Sequence, residues 1–433
     1  MPKPIVCLSG ALRQFLESFS ACFSQRQWKY FVTVLLGLVE CEGRSTLTGF
    51  LECVGEAISL SGLSRFMSRW PWSPAEVVAI WLTRFRQQME PLVETEHRRQ
   101  WVGRPKRRGR PRKTVVTGYL IFDDSVHTKP KGRKMGGLGR HYSGVEKQVV
   151  RGHCLFTGLY VLLGRRCPLL PQLYRQKVTC EREGVVFRSK VDMAVEEIER
   201  FDPVSGTQTH VLIDSWYHCK RVRRAAKKRD WDISGGLKSN RKMRLVTEDG
   251  NRQWLSLTEY TATLGPKDWQ EAIWPSQQGG HTVYVHAVRT WVRKLGPTLV
   301  LITRLSLDES LDKARYWGST LVTADAQTVI NILAIRWDIE VFFEDYKDLL
   351  GGDHYQLMNA TAILRFWTLV SCLAYFLDEH RAQLHQKQPD VHFTLGDACR
   401  DIRGQHQQNL LTWLEAQFHS GVTAEQMSVR LRI

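Results

Sequence analysis

Three residues on one predicted helix carry opposite charges at fixed spacing: Arg336, Glu340 and Lys347, within R-W-D-I-E-V-F-F-E-D-Y-K. At 100° per residue they fall close together beside an apolar stripe of Ile332, Ile335, Ile339, Phe342, Tyr346 and Leu349. A helix gains little structurally from placing both signs at the edge of its buried face. A site that holds a metal and a phosphate needs both there. Two further carboxylates end apolar, strand-like runs: Asp124 after Tyr119-Leu120-Ile121-Phe122-Asp123, and Asp214 after His210-Val211-Leu212-Ile213. Chemistry in α/β sheets collects at strand ends, where converging carboxylates repel unless divalent cations neutralise them. Two cations roughly 3.5–4 Å apart are the usual arrangement for in-line phosphodiester displacement.

The elements that must position these residues follow from the pattern around them. Strands are predicted at 119–122, 149–163 and 168–174, then a helix over 188–201, a strand over 210–213, a helix over 218–229 and a short strand over 231–235. Three strands followed by alternating helices and strands make a mixed α/β sheet. Residues 236–322 are rich in Gly, Pro and Thr, with strand candidates at 252–257, 283–291 and 298–305, and read as an inserted β-rich subdomain. The helix bearing Glu340 follows, predicted over 328–350, then an apolar helix over 360–376 and a polar helical tail. Residues 1–95 are helical in pattern. Ser45-Thr46 can cap one short helix, and Ser59–Gly62 forms a turn before another that ends near Pro71. That outline is helix-turn-helix, with Arg65 and Arg69 as candidate DNA contacts.

Charge narrows the class of partner. The chain has 433 residues and a net charge of +17. Residues 98–113 and 218–244 contribute +9 each, leaving about −1 for the rest. Such localised excess fits a polyanion. Within the first stretch Arg108-Gly109-Arg110-Pro111 matches the core of an AT-hook, which lies in narrow minor grooves. Within the second, the helix 218–229 and the loop residues Lys238, Arg241 and Lys242 are candidate backbone contacts. Ten cysteines show no paired C-x-x-C spacing and the His residues are scattered, so any metal is expected on oxygen ligands. No signal peptide or long apolar span stands out, and a soluble cytoplasmic, nucleoid-associated protein is expected.

Taken together, Leu120–Ser125 (L-I-F-D-D-S), Val211–Ser215 (V-L-I-D-S) and Arg336–Lys347 resemble the DDE transposases of bacterial insertion sequences. The resemblance narrows to the group whose RNase H-like core carries a long β-rich insertion and whose helix bears a Tyr-x2-Arg-x3-Glu-x6-Lys signature. Leu333 stands where that signature has Tyr. It implies Asp124, Asp214 and Glu340 as catalytic metal ligands, two Mg²⁺ (or Mn²⁺) ions, and Arg336 and Lys347 as phosphate clamps. It also implies double-stranded DNA as partner, at element ends and target, and a homodimer in the DNA complex. Asp123 and Asp124 point to opposite faces of a strand, so only one joins the site, and the resemblance favours Asp124. Glu344, one turn past Glu340, is an alternative ligand.

The expected organisation is a helical DNA-binding region over 1–97, a basic AT-hook-like linker over 98–114, an RNase H-like core over 115–235 and 323–380, the insertion over 236–322, and a helical region over 381–433. The expected activity is metal-dependent cleavage at element ends and strand transfer into target DNA. Rival readings are a catalytically silent DNA-binding regulator and an RNase H-like nuclease without strand transfer.

Overall fold

A computed structural model of the chain describes residues 2–55, 58–102, 114–246, 250–276 and 279–431. Five helices come first: α1 (Gly10–Glu17), α2 (Gln25–Glu40), α3 (Leu47–Cys53), α4 (Leu60–Ser68) and α5 (Pro74–Val102). Ser9, Ser24, Thr46 and Ser59 cap the first four through their side chains, satisfying amide donors that a helix start leaves open. The core follows as β1 (Val116–Thr128), β2 (Gly139–Ser143), β3 (Gln148–Leu162), β4 (Arg165–Pro168), β5 (Gln172–Tyr174), α6 (Lys177–Glu183), α7 (Lys190–Arg200), β6 (Thr207–Ile213), α8 (Lys220–Lys228) and β7 (Asp232–Gly236).

β3 lies antiparallel to β1, while β6 lies parallel to β1 and β7 parallel to β6. That arrangement is the mixed sheet expected of an RNase H-like core, with β2 as an additional short strand and the third expected strand divided into β4 and β5. Gly235 permits the close approach of β7 to β6, since a side chain there would collide with the Ile213 carbonyl.

The stretch read as an inserted β-rich subdomain continues the core sheet. Its elements are β8 (Lys242–Val246), β9 (Arg252–Ser256), α9 (Leu257–Thr261), β10 (Gln270–Trp274), β11 (His281–Val292), β12 (Gly296–Arg304) and β13 (Arg315–Ser319). β13 hydrogen-bonds to β7, and the strands continue through β12, β11, β8 and β9, so one sheet runs from the core into the insertion. Hydrogen bonds along a strand edge override a compositional boundary that only the side chains mark. Two small clusters of its own, one around Met243, Val292 and Ile302 and one around Val283, Leu301 and Leu333, fill the insertion's faces.

The chain ends with α10 (Ala326–Ile335), α11 (Trp337–Glu344), a π-helical turn (Asp345–Leu349), α12 (Ala360–Lys387), α13 (Leu395–His419) and α14 (Ala424–Leu431). The single helix expected over 328–350 is thus broken at Arg336 and widened after Glu344. α12 is the helix around which the N-terminal helices and the core sheet meet. Arg365, buried on α12, donates to the carbonyls of Phe66, Met67 and Trp72, and Arg165 on β4 donates to Asp378 at 2.7 Å. Among the described residues α12 alone has the length and apolarity to cross a membrane, and 83% of its apolar window is buried in the fold. Residues from Leu8 to Ile402 share one continuous hydrophobic cluster, so α1–α5 pack into the same core as the sheet.

Candidate active site

β1 carries the first carboxylates, and its two faces look at different helices. The pairing Asp124 with Phe156, and Val126 with Cys154, puts Phe122, Asp124, Phe156 and Cys154 on one face. Phe122 stacks on Phe156, whose ring meets Tyr217 ahead of α8. Asp123, Ser125 and His127 occupy the other face, where the His127 ring packs against Tyr346 and Trp367. Glu340 and its helix therefore share a face with Asp123.

Arg336 makes that sharing explicit. Its guanidinium reaches Asp123 Oδ2 at 3.5 Å and forms a short ion pair with Glu340. Asp214 follows directly on β6, and the parallel register that aligns Phe122 with Ile213 brings Asp123 and Asp214 to the same end of adjacent strands. Asp214 Oδ1 accepts the backbone N–H groups of Trp216 at 2.9 Å and Tyr217 at 3.1 Å, which fixes the turn after β6. Burial, then the charges of Asp124 and Asp214, push the Asp123 carboxyl up to about 7 against the pull of Arg336. Burial also raises Asp214, with its two backbone hydrogen bonds opposing and Asp124 reinforcing the rise.

Asp124, which the sequence favoured for this site, is held on the opposite face. Its Oδ1 accepts the Tyr217 hydroxyl at 2.6 Å, and its Oδ2 accepts the Lys190 ammonium at 2.6 Å and the Cys154 thiol at 3.3 Å. Burial works against the charge on Lys190, but Cys154 and Asp124 outweigh it and hold the ammonium above its ordinary range. No spacing in the sequence signalled Lys190. Tyr217 had a faint signal, because an Asp three residues earlier commonly accepts from the turn it begins.

Glu344, the alternative ligand, is exposed one turn past Glu340. It lines a cleft of about 1310 Å³ whose walls also include Arg336, Trp337, Trp274, Arg315 and Trp317, whereas Glu340 is not among them. Leu333, at the position of the signature Tyr, is buried against insertion strands and has a packing role. Lys347 lies in the π turn, where burial lowers its ammonium and Asp353 and Asp348 oppose the lowering. π turns often mark functional positions in helices.

Among the described residues, the basic side chains divide into those tied to protein acceptors and those that are exposed. Arg223 is buried and donates to Leu295 and Pro297 carbonyls and to Thr298 Oγ1. Arg229 donates to carbonyls of Ile198, Glu199 and Phe201, and Arg241 to that of His218 at 2.6 Å. Lys129 bonds the carbonyls of Asp353 and Tyr355. All four are structural. Lys131, Arg133 and Lys134 are exposed, as are Arg65, Arg69, Lys220, Arg224, Lys227, Lys238 and Lys242. Lys238 places its ammonium 4.9 Å from the ring centre of Trp216, which is 60% exposed two residues after Asp214. Trp317 is partly buried and donates to Thr303, while Trp291 is 43% exposed beneath Arg244. His141 and His153 are buried, the latter bonded to Tyr355 and to Gly136, and Tyr142 is exposed. Arg108 and Arg110 lie outside the described residues.

Paired aspartates at the ends of adjacent parallel strands, facing a glutamate on a helix across the same side of a mixed sheet, define the class of phosphodiester-cleaving enzymes with an RNase H-like core. The family is more specific. Residues 18–253 match the family described as DDE superfamily endonuclease, and residues 188–377 match the transposase DDE domain. The chain belongs to the DDE superfamily and is a DNA transposase of that superfamily. Members generally use divalent metal ions. Among solved structures, the chain resembles a piggyBac transposase synaptic complex with hairpin DNA, at 10% identity and a TM-score of 0.47, over 99% of this chain and 82% of that one. At that score the likeness decides nothing. No curated protein matches the sequence.

Among the described residues no three acidic, His or Cys side chains already form a closed metal cage. The donors nonetheless suit a hard cation. They are carboxylate oxygens, and burial first, then the charges of Asp124 and Asp214, raises the proton affinity of Asp123; the like-charge part of that rise is what a cation between the carboxylates would relieve. In this structure Arg336 supplies that charge to Asp123 and Glu340.

Proposed function

We propose that Asp123, Asp214 and Glu340 form the metal-binding carboxylates with which this transposase cuts DNA at the ends of its element and joins them to target DNA. The observation that carries this choice is Arg336, whose guanidinium meets both Asp123 and Glu340 at the end of β1 beside Asp214. Two Mg²⁺ or Mn²⁺ ions, when bound, supply activation of the attacking hydroxyl and stabilisation of the leaving 3′-oxygen. The protein's own groups do the rest. Asp214 is oriented by the amides of Trp216 and Tyr217, and Arg336 offers a planar fork suited to phosphate once the carboxylates have another counter-charge. Trp216, with Lys238 over its ring, offers an aromatic face to a base beside Asp214. Because hydrolysis and strand transfer are the same displacement with different nucleophiles, one carboxylate set serves both.

The working assembly we propose is a homodimer on double-stranded DNA, acting in the bacterial cytoplasm on an insertion sequence. Incubating the protein with Mg²⁺, labelled element-end DNA and a target plasmid tests the reading. Joined products are expected from wild type, and Asp123→Asn, Asp214→Asn and Glu340→Gln should each lose cleavage by at least about a thousandfold while keeping end binding. Cleavage without joining would indicate a nuclease, and retention without cleavage a binding regulator. Persistent cutting by the Glu340 variant would remove it from the ligand set.

A further inference from the structure

We infer that Asp124 is a positioning residue, which acts through Tyr217 to hold Asp214 in place from the opposite face of the sheet. The inference rests on the assignment of Asp123, Asp214 and Glu340 as the ligands. Tyr217 is the joint. Its hydroxyl donates to Asp124 Oδ1 at 2.6 Å, and its own backbone N–H donates to Asp214 Oδ1 at 3.1 Å. One residue thus ties the carboxylate on β1 to the carboxylate after β6. The tie is stiff because the Tyr217 ring is fully buried and packs against Phe156, the cross-strand partner of Asp124. Asp124 is fixed in turn by Lys190, the first residue of α7, at 2.6 Å, and by Cys154 on β3.

The consequence is mechanical and directional. β6 ends at Ile213, so Asp214 lies just outside the ladder, and among the described residues its backbone has no hydrogen bond to a neighbouring strand. Its Oδ1 is taken by the turn amides, and Oδ2 has no hydrogen-bond partner among the described residues. Releasing Tyr217 loosens the backbone from which Asp214 is held, which lowers affinity for a cation at that oxygen without removing a ligand. Groups that orient metal ligands in this way typically change metal affinity by about 10- to 100-fold when lost.

The test measures Mn²⁺ binding to the full chain by calorimetry, beside DNA cleavage and thermal melting. Tyr217→Phe removes only the hydroxyl, and Asp124→Ala removes its acceptor. Both should weaken Mn²⁺ binding about 10-fold or more, with cleavage recovering at high Mn²⁺. Asp124→Asn keeps an oxygen for the Tyr217 hydroxyl and should retain near-normal Mn²⁺ affinity, although it loses stability because Lys190 is left without its anion. Asp123→Asn should lose both binding and cleavage at any Mn²⁺ concentration. Wild-type Mn²⁺ affinity in Tyr217→Phe and Asp124→Ala would overturn the positioning role while leaving the ligand set intact. An Asp124→Asn variant that is folded yet as inert as a ligand knockout, together with an active Asp123→Asn, would instead overturn the ligand set itself.

Discussion

A carboxyl group surrounded by other acids reports its situation through protons. Asp123 is pushed up to about 7, with burial the largest cause and Asp124 and Asp214 next. Its ordinary value is 3.8, so between about pH 4 and 7 the metal-free native state holds a proton that the unfolded chain has released. Wild-type stability therefore falls as pH rises through that window and levels off above it. Asp123→Asn carries no such proton and escapes the fall. Thermal melts without metal should show the variant gaining on wild type from pH 4 to 7 and keeping a constant lead above that, by at most about 4 kcal/mol. A lead independent of pH would mean that neither burial nor the acidic neighbours hold a proton on Asp123. The buried setting also explains why the strand pattern alone did not separate Asp123 from Asp124, so that the choice of Asp124 rested on the resemblance. Leu120, Ile121 and Phe122 are all fully buried, so β1 has no solvent face to mark the parity of the next two positions. Only the packing of a helix more than two hundred residues later, with Arg336 on it, distinguishes them. By contrast the pairing of Glu340 with Arg336 was legible, because the two are one helical turn apart and need no tertiary contact.

At the scale of elements, composition misled where a charge is buried. The helix α8 reads K-R-V-R-R-A-A-K-K and suggests a basic face for DNA, but Val222, Arg223, Ala225 and Ala226 are buried. Arg223 Nη1 donates to the Leu295 carbonyl at 2.9 Å and to Thr298 Oγ1 at 2.8 Å, and so joins the core helix to β12 of the insertion. Burial lowers its guanidinium to about 10, and the acceptors are neutral, so it is a cation used as a structural donor. Arg223→Met keeps much of the apolar stem and removes those bonds. It should destabilise the protein by about 2–3 kcal/mol in urea unfolding, the scale of hydrogen bonds from a charged group. DNA affinity of the folded fraction, and its dependence on salt, should be unchanged. An unaltered midpoint would mean that β12 is held by the sheet alone. The core strands themselves were readable, since apolar runs bounded by Asp or Gly coincide with β1, β3, β6 and β7. The continuity of the sheet through β7 and β13 was not, because pairing of those two strands lies in backbone groups more than seventy residues apart.

For the whole molecule, the charge of +17 becomes informative once tied and free cations are separated. On α8 the exposed residues Arg221 and Lys228 pair with Asp192 and Glu199. Lys220, Arg224 and Lys227 are exposed and make no ion pair among the described residues. α7 meets the face of β1 that carries Asp124, through Lys190, and packs against α8, so these three cations are expected to lie away from the proposed ligands. Any DNA they touch must wrap from the strand ends around that side of the core, and their contribution would be counterion release with no sequence reading. Each phosphate neutralised on a duplex contributes about 0.9 to the slope of log affinity against log salt, so replacing all three by Ala should flatten the slope by about 2.7 if every one meets a phosphate. Replacing Arg108 and Arg110 in the linker should flatten it by about 1.8 independently. The two reductions should add, because the linker and α8 would contact separate stretches of backbone. A slope unaffected by the α8 changes but reduced by the linker changes would confine DNA to the face of Glu340 and leave α8 a solvated surface. Cleavage of a short duplex that ends at the scissile phosphate should be nearly indifferent to the α8 variant in either case, which separates a binding track from the chemistry.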